Sequence, residues 1–131
     1  MDSTSPDHSF CSILGKVPSG IYILSAKHGD HVTGMLASWV MQAGFEPPMV
    51  TVAVNKSRYL AEWLQKGSTF ALNVVSEEGK KLLSHFGRGF EIGVPAFENL
   101  ACSQHETGVV VLEEGVLGHF ICSPKPHAES G

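Results

Sequence analysis

Apolar and polar positions divide the chain into short β-type runs separated by turn residues. Ile21–Ala26 and Val32–Ser38 are rich in β-formers and flank a Gly-Asp turn, which predicts a hairpin. Ser68–Val75, Thr107–Leu112 and Val116–Cys122 are also apolar enough to be strands. The pattern therefore predicts a mainly β domain.

The segment Gly34–Pro48 begins as a strand but does not end as one. Its apolar run reaches Ala37, and Ser38 and Trp39 then interrupt it. A glutamine, a glycine and two prolines follow, and such residues are poor partners in a β-ladder. We therefore expect a loop between Ser38 and the next strand.

That next strand, Met49–Asn55, alternates strictly. Val50, Val52 and Val54 fall on one face, and threonine, alanine and asparagine fall on the other. The second face is small and polar, so it is a poor match for a packed core.

Three short helices are predicted in the connections. From cap to stop they span Ser5–Pro18, Ser57–Gly67 and Ser76–Gly87. Arg88–Ser103 keeps no period and predicts a surface excursion. The fold class expected is mainly β with short helices, a small barrel with helical decorations. Residues 1–131 form one domain in this interpretation, with residues 1–9 a flexible terminus.

Composition narrows the function classes. Hydrophobic residues make up 43% and charged residues 17% of the 131, as in ordinary globular proteins, and the net charge is −4. Without a basic stripe, nucleic-acid binding is disfavoured. No apolar run approaches the ~20 residues of a membrane span, and the start lacks a secretory signal pattern. Cys11, Cys102 and Cys122 are odd in number and widely spaced, which predicts reduced thiols in a reducing compartment.

The first candidate site lies where a strand runs into a helix. Asn55, Lys56, Ser57 and Arg58 bring an amide, a hydroxyl and two cations to the first helical turn. Unpaired backbone N–H groups and cations there suit a phosphate. The alternative is that Ser57 only caps the helix and both cations are solvated.

A second candidate is a shallow groove of small residues. If the strands ending at Ser38 and Asn55 lie near each other, Ala37, Ser38, Thr51 and Ala53 outline a surface for a planar ring, with Trp39 at its rim. The alternative is that Trp39 is a core or interface aromatic and Ser38 is incidental. A ring surface beside a phosphate site would suit flavin mononucleotide.

A third candidate is the sequence S-H-F-G-R-G-F. His85, Phe86 and Arg88 sit at a predicted helix end followed by glycines, so the backbone can approach a ligand closely. The alternative is a glycine-stopped helix with a buried Phe86. His28 and His31 share one turn but lack further ligands nearby, so a metal site is disfavoured.

Taken in order, six motifs resemble the flavin reductase-like family, the FMN-binding split barrels. They are P-S-G, G-M-x-A-S-W-V, F-E-P-P, V-N-K-S-x-Y, F-x-L-N-V and H-F-G-R, and the match is tightest over Leu14–Phe90. The form is similar to the C-terminal flavin reductase domain of diflavin flavodiiron proteins of oxygenic phototrophs.

The resemblance implies a split β-barrel, usually homodimeric, that binds FMN and takes electrons from NAD(P)H. It implies onward transfer to an oxygen-reducing flavodiiron module, in the cytoplasm, or in the plastid stroma of a eukaryotic phototroph. The cofactor-binding residues it implies are Met35, Ala37, Ser38, Trp39, Val40, Thr51, Ala53, Asn55, Lys56, Ser57, Tyr59, His85, Phe86, Gly87 and Arg88. Members need no dedicated acid–base residue, because hydride moves between nicotinamide and flavin, so no catalytic residue is named.

The family pattern continues past a segment like E-S-G into a further strand pair, whereas this sequence ends at Gly131. We therefore expect those last strands to be absent. Two alternatives stay open: an FMN-binding or dimerisation module without turnover, and a truncated product that does not fold alone.

Overall fold

The computed structural model of the protein describes Lys16 and residues 20–125. These residues form eight strands and two helices: β1 Tyr22–His28, β2 His31–Ala37, β3 Val40–Phe45, β4 Pro48–Val52, α1 Tyr59–Gln65, β5 Phe70–Val75, α2 Lys80–Phe86, β6 Cys102–Gln104, β7 Val110–Leu112 and β8 Val116–Cys122. The helix predicted over Ser5–Pro18 lies outside the described residues, apart from Lys16. None of the described helices has the length and apolarity needed to cross a membrane.

The main sheet is antiparallel, in the order β2-β1-β5-β8. The predicted first hairpin is confirmed, with Tyr22 opposite Ala37 and His28 opposite His31. Gly29 has φ +62 in its turn, a conformation that glycine adopts without strain. β8 lies at one edge of this sheet and leaves Leu117 and Phe120 largely exposed.

The loop expected after Ser38 is wrong, because the chain forms a second hairpin there. β3 pairs with β4 from Val40 opposite Val52 to Phe45 opposite Pro48. A register shift between Gln42 and Gly44 accommodates the extra residue in β3, and Pro48 stands first in its strand, where proline is tolerated. Gln42, Gly44 and Pro48 are therefore part of the ladder, and Pro47 lies in the turn between its strands.

The surface excursion expected over Arg88–Ser103 is only partly right. Ala96 is fully buried and Phe97 is 9% exposed, both packed with the α2 residues Leu82 and Phe86. A turn-rich segment buries isolated apolar residues without a regular period, so periodicity could not reveal them. β6 also begins inside this segment and pairs with β7.

Both helices begin later than their predicted caps. Arg58 is the N-cap residue of α1 and Gly79 that of α2, and neither position has a side-chain cap hydrogen bond. Ser57 and Ser76 are therefore not the caps, which was predicted wrongly. The stops are right: Gly67 has φ +89 just beyond α1, and Gly87 is the C-cap residue of α2.

Two apolar clusters cover the two faces of the main sheet, because neighbouring β1 residues point opposite ways. Leu24 belongs to the cluster formed with α1, which includes Trp63. Ile23 belongs to the cluster formed with α2, which includes Phe86. The β3–β4 hairpin packs on the α1 cluster through half-buried Val40 and Val52. The three sheets of the described chain do not close into one continuous barrel.

Candidate functional site

The outer face of β4 and the segment after it is small and solvent-exposed, as the alternation predicted. Thr51, Ala53 and Asn55 are exposed, whereas Val52 and Val54 pack partly against the α1 cluster. The Ala53 N–H donates a 2.9 Å hydrogen bond to the Trp39 carbonyl. The two segments that the groove hypothesis required to be adjacent are therefore hydrogen-bonded neighbours.

Trp39 stands beside this small-residue face and is 75% exposed, which excludes the core position considered for it. Met41, two residues on, is 67% exposed and lies opposite Thr51. Large apolar side chains thus flank Thr51 and Ala53 on one open surface, which we call the hairpin face. Exposed apolar surface next to small residues is suited to a planar ring or to a partner.

The other residues proposed to line a ring differ in accessibility. Ser38 and Val40 are half-buried. Met35 is 6% and Ala37 4% exposed, and both pack in the α1 cluster. Their side chains are thus part of the core, so any contribution of theirs to a ligand at the hairpin face is through the backbone.

The turn before α1 is compact and carries the candidate phosphate ligands. The Asn55 side-chain oxygen accepts hydrogen bonds from the Ser57 N–H (2.9 Å) and the Ser57 hydroxyl (2.8 Å). The Arg58 N–H bonds the Asn55 carbonyl at 3.0 Å. Lys56 and Ser57 are exposed and Arg58 is half-buried. Asn55 therefore organises this turn.

The cations near this turn are electrostatically uncompensated within the described chain. Among the described residues, an ion pair joins the side chains of Lys66 and Glu62 (2.9 Å), towards the other end of α1. Lys56, Arg58 and Arg88 have no carboxylate within ion-pair distance among the described residues. Their charge is thus available to attract an anion.

Tyr59 connects elements and does not present a free hydroxyl. Its Oη is 2.9 Å from the Thr33 hydroxyl and also bonds the Phe90 carbonyl. Thr33 is 2% exposed on β2. Like the Ser57 hydroxyl, which bonds the Asn55 side chain, the Tyr59 hydroxyl is therefore already hydrogen-bonded within the described chain.

The segment from His85 to Arg88 combines buried and exposed residues. Phe86 is fully buried, as the alternative interpretation had it, while Gly87 and Arg88 are exposed. The His85 Nε2–H donates a 2.7 Å hydrogen bond to the Ala96 carbonyl. The exposed part of the motif is therefore short and is anchored by its buried neighbours.

Two motifs about thirty residues apart in sequence meet here. The guanidinium of Arg58 packs directly on Gly89, where a Cβ would overlap Nη1, and Tyr59 bonds the carbonyl of Phe90. The structure thus joins the turn before α1 to the segment after α2. Sequence reasoning missed Gly89, although two glycines around an arginine were a signal for close approach.

Gly34 is a second residue whose role only the structure reveals. A Cβ at Gly34 would lie 2.8 Å from Phe86 Cε1 and 3.0 Å from Phe97 Cζ. The missing side chain lets both rings pack on β2. An isolated glycine inside a strand was the available signal for close packing.

A surface groove of about 520 Å³ lies elsewhere, near α2. It is lined by Ile21, Val75, Ser76, Glu77, Lys80 and Leu83. None of the sequence-predicted site residues lines this groove. Its apolar walls carry one acid, Glu77, and one base, Lys80, and this pair indicates no particular class of ligand. We therefore place the candidate site at the hairpin face and the adjoining cationic turn, which together form an open surface.

Solved structures identify the class of fold. NADH:FAD oxidoreductase SgcE6 of Streptomyces globisporus C-1027 is similar with a TM-score of 0.83 at 23% identity, over 100% of this chain and 79% of that one. The flavin reductase PheA2 gives 0.78 at 22% identity, over 97% and 79%. The fold is therefore the split barrel of flavin reductases, which confirms the predicted fold class.

The family follows from sequence comparison. The family model described as Flavin reductase like domain matches residues 14–130. Diflavin flavoprotein A 1 of Synechocystis sp. is 34% identical, and diflavin flavoprotein A 5 of Nostoc sp. 36% identical, each over 90% of this chain. The chain therefore belongs to the flavin reductase-like domain family. It spans 21% of the length of these two relatives.

Proposed function

We propose that this domain binds FMN and carries electrons from NAD(P)H through the flavin to a further acceptor. The observation that carries the proposal is the hairpin face, where exposed Trp39 adjoins Ala53 and Thr51. Family membership supports a flavin as the ligand of this surface.

The residues present fit such a cofactor at both of its ends. At the ring end, Thr51 and Ala53 are small enough for a planar ring to approach the backbone, and Trp39 stands at the rim. At the phosphate end, Lys56, Ser57 and Arg88 are exposed, with positive charge that no carboxylate of the described chain neutralises. A neutral ring and an anionic tail match this division.

The mechanism assigns binding and orientation to the protein. Bound flavin would supply the two-electron chemistry, accepting hydride from nicotinamide. The flavin ring would be held by the side chains of Thr51 and Ala53 and by backbone groups of Met35–Val40. Lys56 and Ser57 fix the phosphate, and His85–Arg88 limits the access of water from the α2 side. No proton donor or acceptor is assigned.

We also propose that two copies associate through the hairpin face. Trp39 and Met41 are 75% and 67% exposed on that face, and neighbouring exposed large apolar side chains are characteristic of an interaction site. Relatives that are roughly four times as long as this chain support a flavodiiron module, fused or separate, as the electron acceptor. The reducing compartment would be the cytoplasm, or the stroma of a plastid.

A flavin titration of the purified protein tests binding. We expect quenching of FMN fluorescence and a red-shifted, structured absorbance band, with riboflavin bound more weakly because it lacks the phosphate. Sedimentation with and without FMN measures the oligomeric state. Protein that leaves both flavin spectra unchanged at high micromolar concentration contradicts the proposal.

Anaerobic reduction separates an oxidoreductase from a binding module. With FMN bound, adding NADH or NADPH should bleach the flavin absorbance within seconds. Tight binding without bleaching by either nucleotide would favour the alternative of a non-catalytic FMN-binding or dimerisation module.

A further inference from the structure

Arg58 is held in an unusual way for a half-buried cation. No carboxylate of the described chain lies within ion-pair distance of it. Instead its guanidinium lies against the Cα of Gly89, with Cζ 3.4 Å and Nη2 3.7 Å from the place where a Cβ would stand. The space that a side chain at residue 89 would fill is therefore occupied by Arg58.

Gly89 is suited to this contact in a second respect. Its φ of +75 lies in the left-handed region, and its N–H donates a 3.2 Å hydrogen bond to the Phe86 carbonyl. The chain thus turns back directly after α2 and presents the bare face of Gly89 to Arg58.

Tyr59, the residue after Arg58, holds Phe90, the residue after Gly89. Its hydroxyl bonds the Phe90 carbonyl and the Thr33 hydroxyl, so the segment is tied to β2 as well as to α1. The Phe90 ring lies 5.2 Å from the His85 ring and 5.7 Å from the Phe86 ring, centroid to centroid. Arg58, the N-cap residue of α1, and Tyr59, its first residue, therefore hold two consecutive residues of this segment, Gly89 and Phe90.

We propose that Arg58 is a positioning residue for flavin binding: packed on Gly89, it fixes the segment Gly87–Phe90 as a wall of the site. The inference rests on the proposed function, because its readout is flavin affinity. It adds a role for Arg58 and Gly89, neither of which the family motifs assign.

The decisive comparison is between two glycines of the same loop. Gly89→Ala and Gly93→Ala both force alanine into a positive φ (+75 and +89), but a Cβ at Gly93 meets nothing within 4 Å. Because a guanidinium can swing away, Gly89→Ala should lose no more thermal stability than Gly93→Ala. We expect about tenfold weaker binding of both FMN and riboflavin for Gly89→Ala, and less than a twofold change for Gly93→Ala.

Removing Arg58 completes the test. Arg58→Ala should weaken both flavins as Gly89→Ala does, and the double variant should be no weaker than Arg58→Ala, since both changes break the same contact. Hydrogen exchange followed by mass spectrometry gives a readout without flavin. Exchange over residues 87–90 should accelerate in Gly89→Ala and Arg58→Ala but not in Gly93→Ala.

The outcomes separate this inference from the proposed function. If the wild type binds no flavin, the proposed function fails and so does any role of Arg58 in it. If the wild type binds but Gly89→Ala matches Gly93→Ala in affinity and exchange, the positioning role alone is overturned. If Arg58→Ala loses FMN binding but keeps riboflavin binding, the positioning role is also overturned, because Arg58 would then be a direct phosphate ligand.

Discussion

Replacing Asn73 with alanine should lower the free energy of unfolding by about 3 kcal/mol. Asn73 lies in β5 and is fully buried. Its Nδ2 donates to the Ile23 carbonyl (2.9 Å) and the Ser25 hydroxyl (3.0 Å), and its Oδ1 accepts from the Leu112 N–H (2.9 Å). One amide thus ties β7 to the β1–β5 pair.

The magnitude follows from what the substitution leaves behind. A buried donor without a partner costs about 1–3 kcal/mol, and alanine leaves the Leu112 N–H in that state. Loss of the two donated bonds adds about 0.5–1.5 kcal/mol each. Ser25 keeps its 2.6 Å bond to the Val110 carbonyl, so the network is weakened and not abolished.

Urea denaturation followed by circular dichroism measures the change, and hydrogen exchange locates it. Ser25→Ala should cost about 2 kcal/mol, because it removes the bond to Val110 and leaves one N–H of the buried Asn73 amide without its partner. Ser103→Ala, an exposed change in β6, should stay within about 0.5 kcal/mol of wild type. A loss below about 1 kcal/mol for Asn73→Ala, or unchanged exchange of the Leu112 amide, would refute the reasoning.

Three further outcomes are expected. Ser57→Ala should weaken FMN about tenfold, or about 1.4 kcal/mol, and riboflavin much less, whereas equal losses in a flavin titration would reduce Ser57 to a turn residue. Gly34→Ala should lower the free energy of unfolding in urea by about 1–3 kcal/mol, because its Cβ would lie 2.8 Å from Phe86 Cε1. Gly118→Ala, with open space around it, should be neutral or stabilising. Similar effects of the two changes would argue against the packing role of Gly34. Burial raises the pKa of the Cys122 thiol, so its alkylation at pH 8 should be slower in the folded than in the urea-unfolded protein. Stability should also decline as pH rises above about 8.5, because the thiol ionises first in the unfolded chain. Equal alkylation rates in the two states would contradict this.

Local pattern predicted the strands whose own residues carry a clear apolar or alternating run. The β1–β2 hairpin and β8 match the expected runs because alternation and turn residues are local properties. The β3–β4 hairpin was missed because a bulge and a strand-initial Pro48 let unfavourable residues pair. Whether such residues pair depends on the partner strand, which local pattern does not contain.

The candidate site divides in the same way. The exposed face of Thr51, Ala53 and Asn55 could be predicted, because it depends on a two-residue period. The burial of Ala37 could not, because an alanine suits a groove and a core equally well. The family resemblance, and not spacing, was what connected these residues to a flavin.

By itself, then, the sequence determined a mainly β domain of the flavin reductase-like family and the residues that could meet a flavin. Tertiary structure decided which of them meet one another. It set Ala53 beside Trp39 through a backbone hydrogen bond, and it placed Arg58 on Gly89 across thirty residues of chain. The physical reason is that contacts distant in sequence depend on how sheets and helices pack, and that packing leaves no periodic signal in either partner.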